Sequence, residues 1–319
     1  MDELDRSARI LVAGSGGLVG SAVVRALRGT GFTDVVGARS AQVDLRDASA
    51  AREFVTGVAP VAVVDAAARV GGIAANAARP VEFLHDNLRI QANLLDAAAA
   101  AGAERFLFLG SSCIYPKFAE QPIREDSLLT GPLEATNDAY AIAKIAGIMG
   151  VQSYRREFAR RWISAMPTNL YGPGDNFDLE SSHVLPALIR KFDDARRSGA
   201  GSVTVWGTGT PRREFLHVDD LAAACVHLLD VYDDPSPINV GTGQDVTLAE
   251  LASLVAATVG FTGEIVYDTS RPDGTPRKVL DVSRIEATGW KPRVGLAEGL
   301  ASTYRWYLDN YVSEEGVTA

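Results

Sequence analysis

The fold of this 319-residue chain follows from the segment Arg9-Ile10-Leu11-Val12-Ala13-Gly14-Ser15-Gly16-Gly17-Leu18-Val19-Gly20. Its apolar start predicts a buried strand, and its Ala- and Val-rich continuation to Arg28 predicts a helix. The spacing Gly-x-x-Gly-x-x-Gly between them permits a tight turn and a close backbone approach to a pyrophosphate at the helix N-terminus. A glycine-rich turn can form without a ligand, but this position between a strand and a helix predicts a dinucleotide site at Gly14–Gly20.

Four further apolar runs predict parallel strands, because they are nearly continuous in Val, Ile, Leu, Phe and Ala and alternate with helical patterns. This alternation indicates an α/β fold with a Rossmann-like doubly wound parallel sheet. After Pro167 the chain becomes turn-rich, and Ile238–Gly241 predicts one more strand that returns to the sheet. We expect a dinucleotide-binding domain at 1–171, with 214–243 returning to it, and a smaller discontinuous C-terminal substrate lobe at 172–213 and 244–319.

The composition excludes several classes of function. A net charge of −9 is unfavourable for nucleic-acid binding, which depends on Lys and Arg. No apolar run approaches the roughly 20 residues that cross a bilayer, and the acidic start Met1–Asp5 lacks a signal-peptide core. Cys113 and Cys225 make no disulfide framework, and the scattered histidines have no zinc spacing. We expect a cytoplasmic protein with no metal, no nucleic-acid partner and no membrane partner.

Basic residues in the second half of the chain form a candidate anion site. In an acidic chain, an anionic substrate has to be attracted by a local cluster of cations. The candidates are Arg190, Lys191, Arg212, Arg213, Arg271, Arg277 and Lys278.

The end of the second predicted strand bears on the choice between NAD and NADP. NAD sites usually carry an acidic residue there for the ribose hydroxyls. This chain has Arg39, which suits a 2′-phosphate, although a solvated surface arginine would look the same. We predict NADP in preference to NAD, with Asp44 and Leu45 passing the adenine.

A second group of residues predicts reduction of a carbonyl. Tyr140 and Lys144 are spaced i,i+4 on the predicted helix 137–158, which places a phenol and an ammonium on one face. The ammonium, together with the charge of a bound cofactor's nicotinamide, is expected to lower the pKa of the phenol from its usual value of about 10. Ser111 would add a hydroxyl to hold the substrate oxygen. The spacing also arises by chance, but its position between the fourth and fifth strands favours the catalytic interpretation.

Cys113 and His183 form a predicted acid–base pair. Cys113 follows Ser111 by two residues, so both side chains would share one side of an extended strand end. His183 begins the predicted helix 183–198 after a polar loop, which would expose it in the cleft between the lobes. A thiol of pKa about 8.5 and an imidazole of about 6.5 can exchange protons near neutral pH. Reduction alone needs no cysteine, so a second reaction is predicted. Which residue takes the proton stays open.

These segments carry a resemblance to a known family. The runs Gly110–Lys117, Tyr140–Gly147 and Arg213–Asp220, with residues 272–278, resemble the extended short-chain dehydrogenase/reductases, and within them the GDP-L-fucose synthases. The resemblance covers nearly the whole chain. It implies 3,5-epimerisation and NADPH-dependent 4-reduction of GDP-4-keto-6-deoxy-D-mannose to GDP-L-fucose.

The resemblance also implies roles for individual positions. Tyr140, Lys144 and Ser111 would reduce carbon 4, and Cys113 with His183 would epimerise carbons 3 and 5. A homodimer would form through the helices 81–101 and 137–158. The further implied cofactor contacts are Leu109, Gly110, Lys144, Pro167, Thr168, Asn169, Leu170 and His183, and the implied nucleotide-sugar contacts are Lys191, Trp206, Arg213 and Asp273.

The chain departs from the family pattern at three places. Ser15-Gly16 stands where the family often has a basic residue, which removes one 2′-phosphate contact, and Arg69 and Lys191 exchange one basic type for another. Two other functions remain open. One is an epimerase-reductase of another nucleoside-diphosphate 4-keto-6-deoxy sugar, such as a GDP-L-colitose synthase. The other is a non-catalytic dinucleotide sensor, which would have no use for two complete sets of acid–base residues.

Overall fold

Six parallel strands form the main sheet of the computed structural model, which describes residues 3–271 and 273–312 but not the side chain of Ile73. The strands are β1 (Ile10–Ala13), β2 (Val35–Ala38), β3 (Ala62–Asp65), β4 (Arg105–Leu109), β5 (Arg161–Pro167) and β9 (Ile238–Val240). Their order across the sheet is β2-β1-β3-β4-β5-β9. Every residue of β1, β3 and β4 is buried, as expected for strands covered by helices on both faces.

Ten helices surround this sheet and the second lobe within the described residues. They are α1 (Leu18–Gly29), α2 (Ala48–Val58), α3 (Ile73–Ala78), α4 (Pro80–Ala100), α5 (Asp138–Phe158), α6 (Val184–Ser198), α7 (Val218–Val231), α8 (Leu248–Val259), α9 (Ser283–Ala287) and α10 (Leu296–Tyr307). Helices α1 and α7 pack on one face of the main sheet, and α2, α4 and α5 pack on the other. The predicted doubly wound α/β fold is therefore confirmed.

Alternation along the strands sends neighbouring side chains into different cores. Val64 and Leu107 belong to the core beneath α1 and α7, whereas Val63, Phe106 and Phe108 belong to the core beneath α4 and α5. Parallel register aligns Val63 with Phe106 and Asp65 with Phe108. The carboxyl end of β3 thus points a carboxylate toward α5, on the face that carries the predicted phenol and ammonium.

A second lobe forms around strands that the sequence pattern did not predict. The strands are β6 (Asn169–Tyr171), β7 (Ser202–Trp206), β8 (Arg212–His217), β10 (Asp245–Thr247), β11 (Glu264–Asp268) and β12 (Arg277–Lys278). In this lobe β8 pairs parallel with β6 and β12 and antiparallel with β10, while β7 pairs parallel with β11. Helices α6, α8 and α10 contribute to its apolar core.

The buried carboxylate of Glu214 fastens the two lobes together. It accepts backbone N–H groups from Gly243 at 2.7 Å and from Leu280 at 2.9 Å, so β8 is tied to the turn after β9 and to the end of β12. Ile285 of α9 packs in the same core as α1 and α7.

Met1, Asp2, Pro272 and residues 313–319 of the predicted domains lie outside the described residues. Within 3–271 and 273–312, no helix combines the length and hydropathy needed to cross a membrane.

Candidate active site

The side chain of Lys144, from α5, reaches the carboxyl end of β4. Its side chain is 3% exposed, and its Nζ donates to the carbonyl oxygen of Leu109 at 2.8 Å. The same ammonium lies 4.7 Å from the ring centre of Phe108 and 5.9 Å from that of Tyr140. The predicted i,i+4 pair therefore shares one face of α5 and faces the strand end, where backbone and aromatic groups hold the cation in a buried place.

Tyr140 has a raised pKa in the protein alone, whereas the sequence predicts a lowered pKa beside both Lys144 and the cofactor's nicotinamide. Burial is the largest cause, because it penalises the phenolate, and the acidic groups of Cys113 and Asp65 add to it. Burial also lowers the pKa of Lys144, while Asp65 and Cys113 act in the opposite direction. In the protein alone, Tyr140 is thus a neutral phenol, suited to donating a proton.

Ser111 and Cys113 are brought together by a turn. The expectation that both lie on an extended strand end is wrong, because β4 stops at Leu109 and Ser112–Ile114 form a 3₁₀ turn. Ser111 precedes this turn in extended conformation, and its Oγ accepts the N–H of Cys113 at 3.3 Å. This cap satisfies a backbone donor at the start of the turn and holds the Ser111 hydroxyl beside the backbone of Cys113.

Cys113 is a buried thiol with cations near it. Its side chain is 8% exposed, and burial raises its pKa. The charge of Lys278, a hydrogen bond from Ser111 and the charge of Lys144 all act to lower it. Lys278 is the neighbour with the largest charge effect, and sequence reasoning had placed it only in the general basic cluster.

His183 is the N-cap residue of α6, and its side chain makes no capping bond. The imidazole is accessible to solvent, and within the described parts of the chain it forms no hydrogen bond or ion pair. Desolvation by the walls of the cleft lowers its pKa, so the neutral imidazole predominates near pH 7. The preceding loop is fixed by a bond from the N–H of Gly72 to the carbonyl of Ser181 at 3.0 Å. His183 is thus available to a ligand as an acid or a base.

The glycine loop has the shape of a pyrophosphate cradle. Gly14 has φ of +76°, and an added Cβ would lie 2.6 Å from the carbonyl oxygen of Ala66. Gly17 is the N-cap of α1 and supplies no side-chain cap, which leaves the first N–H groups of the helix free for an anion. The buried Oγ of Ser15 has no hydrogen-bond partner within the described residues. With Gly16, Leu18, Val19 and Gly20, these residues fit a dinucleotide.

The end of β2 carries Arg39, the residue predicted to contact a 2′-phosphate. The exposed side chain of Arg39 lies beside the glycine loop, with its Cγ 3.5 Å from a Cβ built on Gly16. Within the described residues Arg39 has no acidic partner. Asp44 is held by Arg46 at 2.8 Å, which lowers the pKa of Asp44 to about 2, and the neighbouring Leu45 is buried.

Strand ends bring the other predicted cofactor residues together. Leu109 is the last residue of β4, and Gly110 follows it. Pro167 is the last residue of β5. Thr168 donates its N–H to the carbonyl of Val240 at 3.1 Å, and Asn169 donates to the carbonyl of Glu214 at 2.8 Å. The last predicted position, Leu170, lies in β6 and packs partly buried against the α1–α7 core.

Three cations of the predicted basic cluster have no ion-pair partner within the described residues: Lys191, Arg213 and Lys278. Arg212 and Arg277 are paired with Asp245. Burial lowers the pKa of each of the three unpaired cations. β12 lies parallel to β8 with Lys278 in register with Arg213, so two of these charges adjoin. Half-buried cations that form no ion pair indicate a site for an anionic ligand.

Trp206 forms an exposed platform at the edge of this site. Its side chain is 56% exposed, and Lys191 and Arg271 each lie 5.1 Å from its ring. Asp273 fastens the loop after Trp206, because it accepts the N–H of Thr208 at 2.7 Å and its hydroxyl at 2.9 Å. Asp273 therefore supports the platform through the loop.

The departure at Arg69 has a structural consequence. Its guanidinium forms ion pairs with Glu82 and, at 3.4 Å, with Asp86 of α4. The backbone of Arg69 is held by Asn87, which accepts its N–H at 2.8 Å. The guanidinium of Arg69 is thus bound to acidic residues of α4 on the wall of the cleft.

Comparison with known proteins gives consistent results. The model of the NAD dependent epimerase/dehydratase family matches residues 10–241. A probable GDP-L-fucose synthase 1 of Oryza sativa subsp. japonica is 56% identical over 97% of this chain and 94% of the relative. The GDP-L-fucose synthase of Escherichia coli (strain K12) is 49% identical over 95% of this chain and 97% of the relative.

A solved structure shares the whole architecture. The crystal structure of a GDP-L-fucose synthetase from Naegleria fowleri bound to NADP superposes with a TM-score of 0.89 and 29% identity. The match covers 98% of this chain and 97% of that chain. Both lobes, and not only the dinucleotide-binding half, therefore have counterparts in that structure.

Proposed function

The chain belongs to the NAD dependent epimerase/dehydratase family, and we propose that it acts as a GDP-L-fucose synthase. It converts GDP-4-keto-6-deoxy-D-mannose to GDP-L-fucose by epimerising carbons 3 and 5 and reducing carbon 4 with NADPH. One observation carries the proposal. The buried thiol of Cys113 lies in the apolar core against which Tyr140 packs, and Lys144 donates to the end of β4, so an epimerising group and a reducing pair share one site.

The reducing set is Tyr140, Lys144 and Ser111. When bound, NADPH supplies the hydride for carbon 4 of the sugar. Tyr140, a neutral phenol, donates a proton to the oxygen that was the ketone, while Lys144 orients the phenol and Ser111 offers its hydroxyl to the same oxygen. The free Oγ of Ser15, the bare helix N-terminus and Arg39 support NADP as the cofactor.

Cys113 and His183 are the epimerising pair. A ketone at carbon 4 acidifies the protons on both neighbouring carbons, so one pair of groups can invert both centres through enediolate intermediates. Each inversion removes a proton from one face and returns a proton to the other face. The lowered pKa of His183 favours its neutral form as a base, and the raised pKa of Cys113 favours its thiol form as an acid. Later reduction of the ketone ends the exchange of these protons.

The substrate diphosphate is assigned to the three unpaired cations. Lys191, Arg213 and Lys278 line the side of the cleft formed by α6, β8 and β12. Their partial burial without an ion pair is costly unless an anion joins them. Trp206 would pack against the sugar nucleotide, and Asp273 would hold its loop in place. We assign the described residues of 1–171 and 214–243 to the NADP domain, and those of 172–213 and 244–319 to the nucleotide-sugar lobe, apart from α9, whose Ile285 packs in the core beneath α1 and α7.

We also propose a homodimer through α4 and α5. Ile142 and Met149 of α5 are 46% and 41% exposed, and their separation by seven residues places them on one face. Val81 at the start of α4 is 63% exposed. Burying this apolar face against a second copy would form a four-helix interface. Light scattering of the purified protein tests the assembly, and a charged Ile142→Glu variant should be monomeric.

Because both cysteines are free and buried, we place the enzyme in the reducing cytoplasm.

Product identification tests the function. The purified enzyme is incubated with GDP-4-keto-6-deoxymannose and either NADPH or NADH, and the product is identified by nuclear magnetic resonance. The proposal expects GDP-L-fucose and faster turnover with NADPH. Cofactor oxidation only with another 4-keto-6-deoxy sugar would favour the colitose-type alternative. No oxidation with any keto sugar would favour the dinucleotide sensor.

A further inference from the structure

We propose that Asp65 is a positioning residue for the reductive step, whose carboxylate keeps Lys144 in its ammonium form inside the buried site. The inference rests on the proposed function and extends its reducing set by one residue. Sequence patterns gave no signal for this role, because Asp65 is the last residue of an otherwise apolar strand, Ala62–Asp65.

Strand register places the two charges on one face of the main sheet. Asp65 is in register with Phe108, and Phe108 packs in the core beneath α4 and α5. Side chains in register on neighbouring parallel strands point to the same face. Lys144, from α5, lies over the ring of that same Phe108 at 4.7 Å and donates to the next residue, Leu109. Asp65 and Lys144 thus flank one residue of β4 from the strand and from the helix.

Neither charge is fully satisfied. Asp65 is completely buried, its Oδ1 accepts the N–H of Ala67 at 3.1 Å, and its Oδ2 has no hydrogen-bond partner within the described residues. Within the same part of the chain, Lys144 has one hydrogen bond, to Leu109, and no ion pair. A buried carboxylate is costly unless a cation is near, and the converse holds for a buried ammonium. Each group is therefore the other's main compensation.

The ionisable surroundings of the pair are few. Burial raises the pKa of Asp65 to about 6, and the charge of Lys144 acts against this rise. The negative groups that act on Lys144 are Asp65 and Cys113, and burial raises the pKa of the Cys113 thiol. Tyr140 is also a neutral phenol near neutral pH. β1 contributes only apolar residues to this face, so Asp65 is the neighbour that is ionised at pH 7 and holds the proton on Lys144.

The ionisation of Asp65 should make the stability of the folded protein depend on pH. The pKa of Asp65 is higher in the folded protein than its ordinary 3.8, so ionisation opposes folding. This cost is absent below pH 3.8, develops as pH rises and is fully present above about pH 6. If Asp65 is kept for its function despite this cost, Asp65→Asn should be more stable than the wild type at neutral pH. If the carboxylate has only a structural role, Asp65→Asn should be less stable than the wild type.

The test compares Asp65→Asn with a matched buried aspartate, Asp230→Asn. Asp230 accepts N–H groups from Leu4 and Arg6 and lies on α7, on the opposite face of the sheet. NADPH oxidation is measured across the pH range with GDP-4-keto-6-deoxymannose, together with deuterium uptake at carbons 3 and 5 and the thermal midpoint. For Asp65→Asn we expect a drop in kcat of about tenfold at neutral pH and an alkaline limb shifted down by about one pH unit.

The other readouts separate positioning from folding. Asp65→Asn should lose the wild-type acid limb near pH 6, keep its deuterium exchange and gain thermal stability at neutral pH. Asp230→Asn should lose stability and keep the wild-type pH profile of kcat. Two results would overturn the inference: a wild-type pH profile in Asp65→Asn, or a loss of stability with equal loss of exchange and reduction. If the wild type itself forms no GDP-L-fucose, the proposed function has failed instead.

Discussion

The ammonium of Lys144 donates a 2.8 Å hydrogen bond to the carbonyl oxygen of Leu109, the last residue of β4. This bond fastens α5 to the strand end from which Ser111 and Cys113 continue. The phenol of Tyr140, on the same helix face, is therefore fixed beside the thiol. Reduction and epimerisation share one site but depend on different side chains, so substitutions should separate them.

Tyr140→Phe should stop reduction and leave epimerisation. The substitution removes the proton donor and keeps the ring that packs edge-on against Phe83 at 6.4 Å. We expect NADPH oxidation to fall by about a hundredfold or more, while deuterium from the solvent continues to enter carbons 3 and 5. Oxidation is followed by absorbance and deuterium uptake by mass spectrometry. Simultaneous loss of both activities in a folded variant would refute the division of labour.

Lys278→Met should make Cys113 less acidic. The charge of Lys278 lowers the pKa of the thiol against the effect of burial. Without it, the alkylation rate of Cys113 by iodoacetamide should reach its half-maximum at a pH higher by about one unit. Lys278→Arg should restore the wild-type profile, and Cys113→Ser gives the background from the buried Cys225. An unchanged profile in Lys278→Met would remove Lys278 from the thiol's environment.

Arg39→Ser should weaken the preference for NADPH. Arg39 lies beside Gly16 at the end of β2, where a 2′-phosphate would be bound. Loss of the guanidinium should raise the KM for NADPH by about tenfold or more and leave that for NADH nearly unchanged. The exposed Arg52 of α2 is the charge-matched control, and Arg52→Ser should keep the preference. An equal rise in both KM values would contradict a phosphate contact.

Local patterns predicted the cofactor half of the site. The strand–glycine–helix segment and the i,i+4 pair Tyr140/Lys144 depend on chain neighbours, and both are found where the pattern predicts them. Helix bounds were close as well, because hydrophobic periodicity and caps are local features: the predicted helices 137–158 and 183–198 are α5 (Asp138–Phe158) and α6 (Val184–Ser198).

Except for the turn at Cys113, the features that were missed depend on contacts distant in sequence or on burial. Lys278 adjoins Arg213 through pairing of β12 with β8, and two-residue strands such as β12 have no periodicity to detect. The 3₁₀ turn at Cys113 replaced an expected extended end, since the Ser111 hydroxyl caps it locally. The raised pKa of Tyr140 and the role of Asp65 both follow from burial, which no spacing reports.

The epimerising role of Cys113 is the central claim, and one measurement tests it most directly. Wild type and Cys113→Ser are each incubated with GDP-4-keto-6-deoxymannose and NADPH in deuterium oxide, and the product sugars are analysed by nuclear magnetic resonance. The account predicts GDP-L-fucose deuterated at carbons 3 and 5 from the wild type. From Cys113→Ser it predicts a slowly formed, reduced sugar with neither centre inverted. Doubly deuterated GDP-L-fucose formed by Cys113→Ser at the wild-type rate would contradict it.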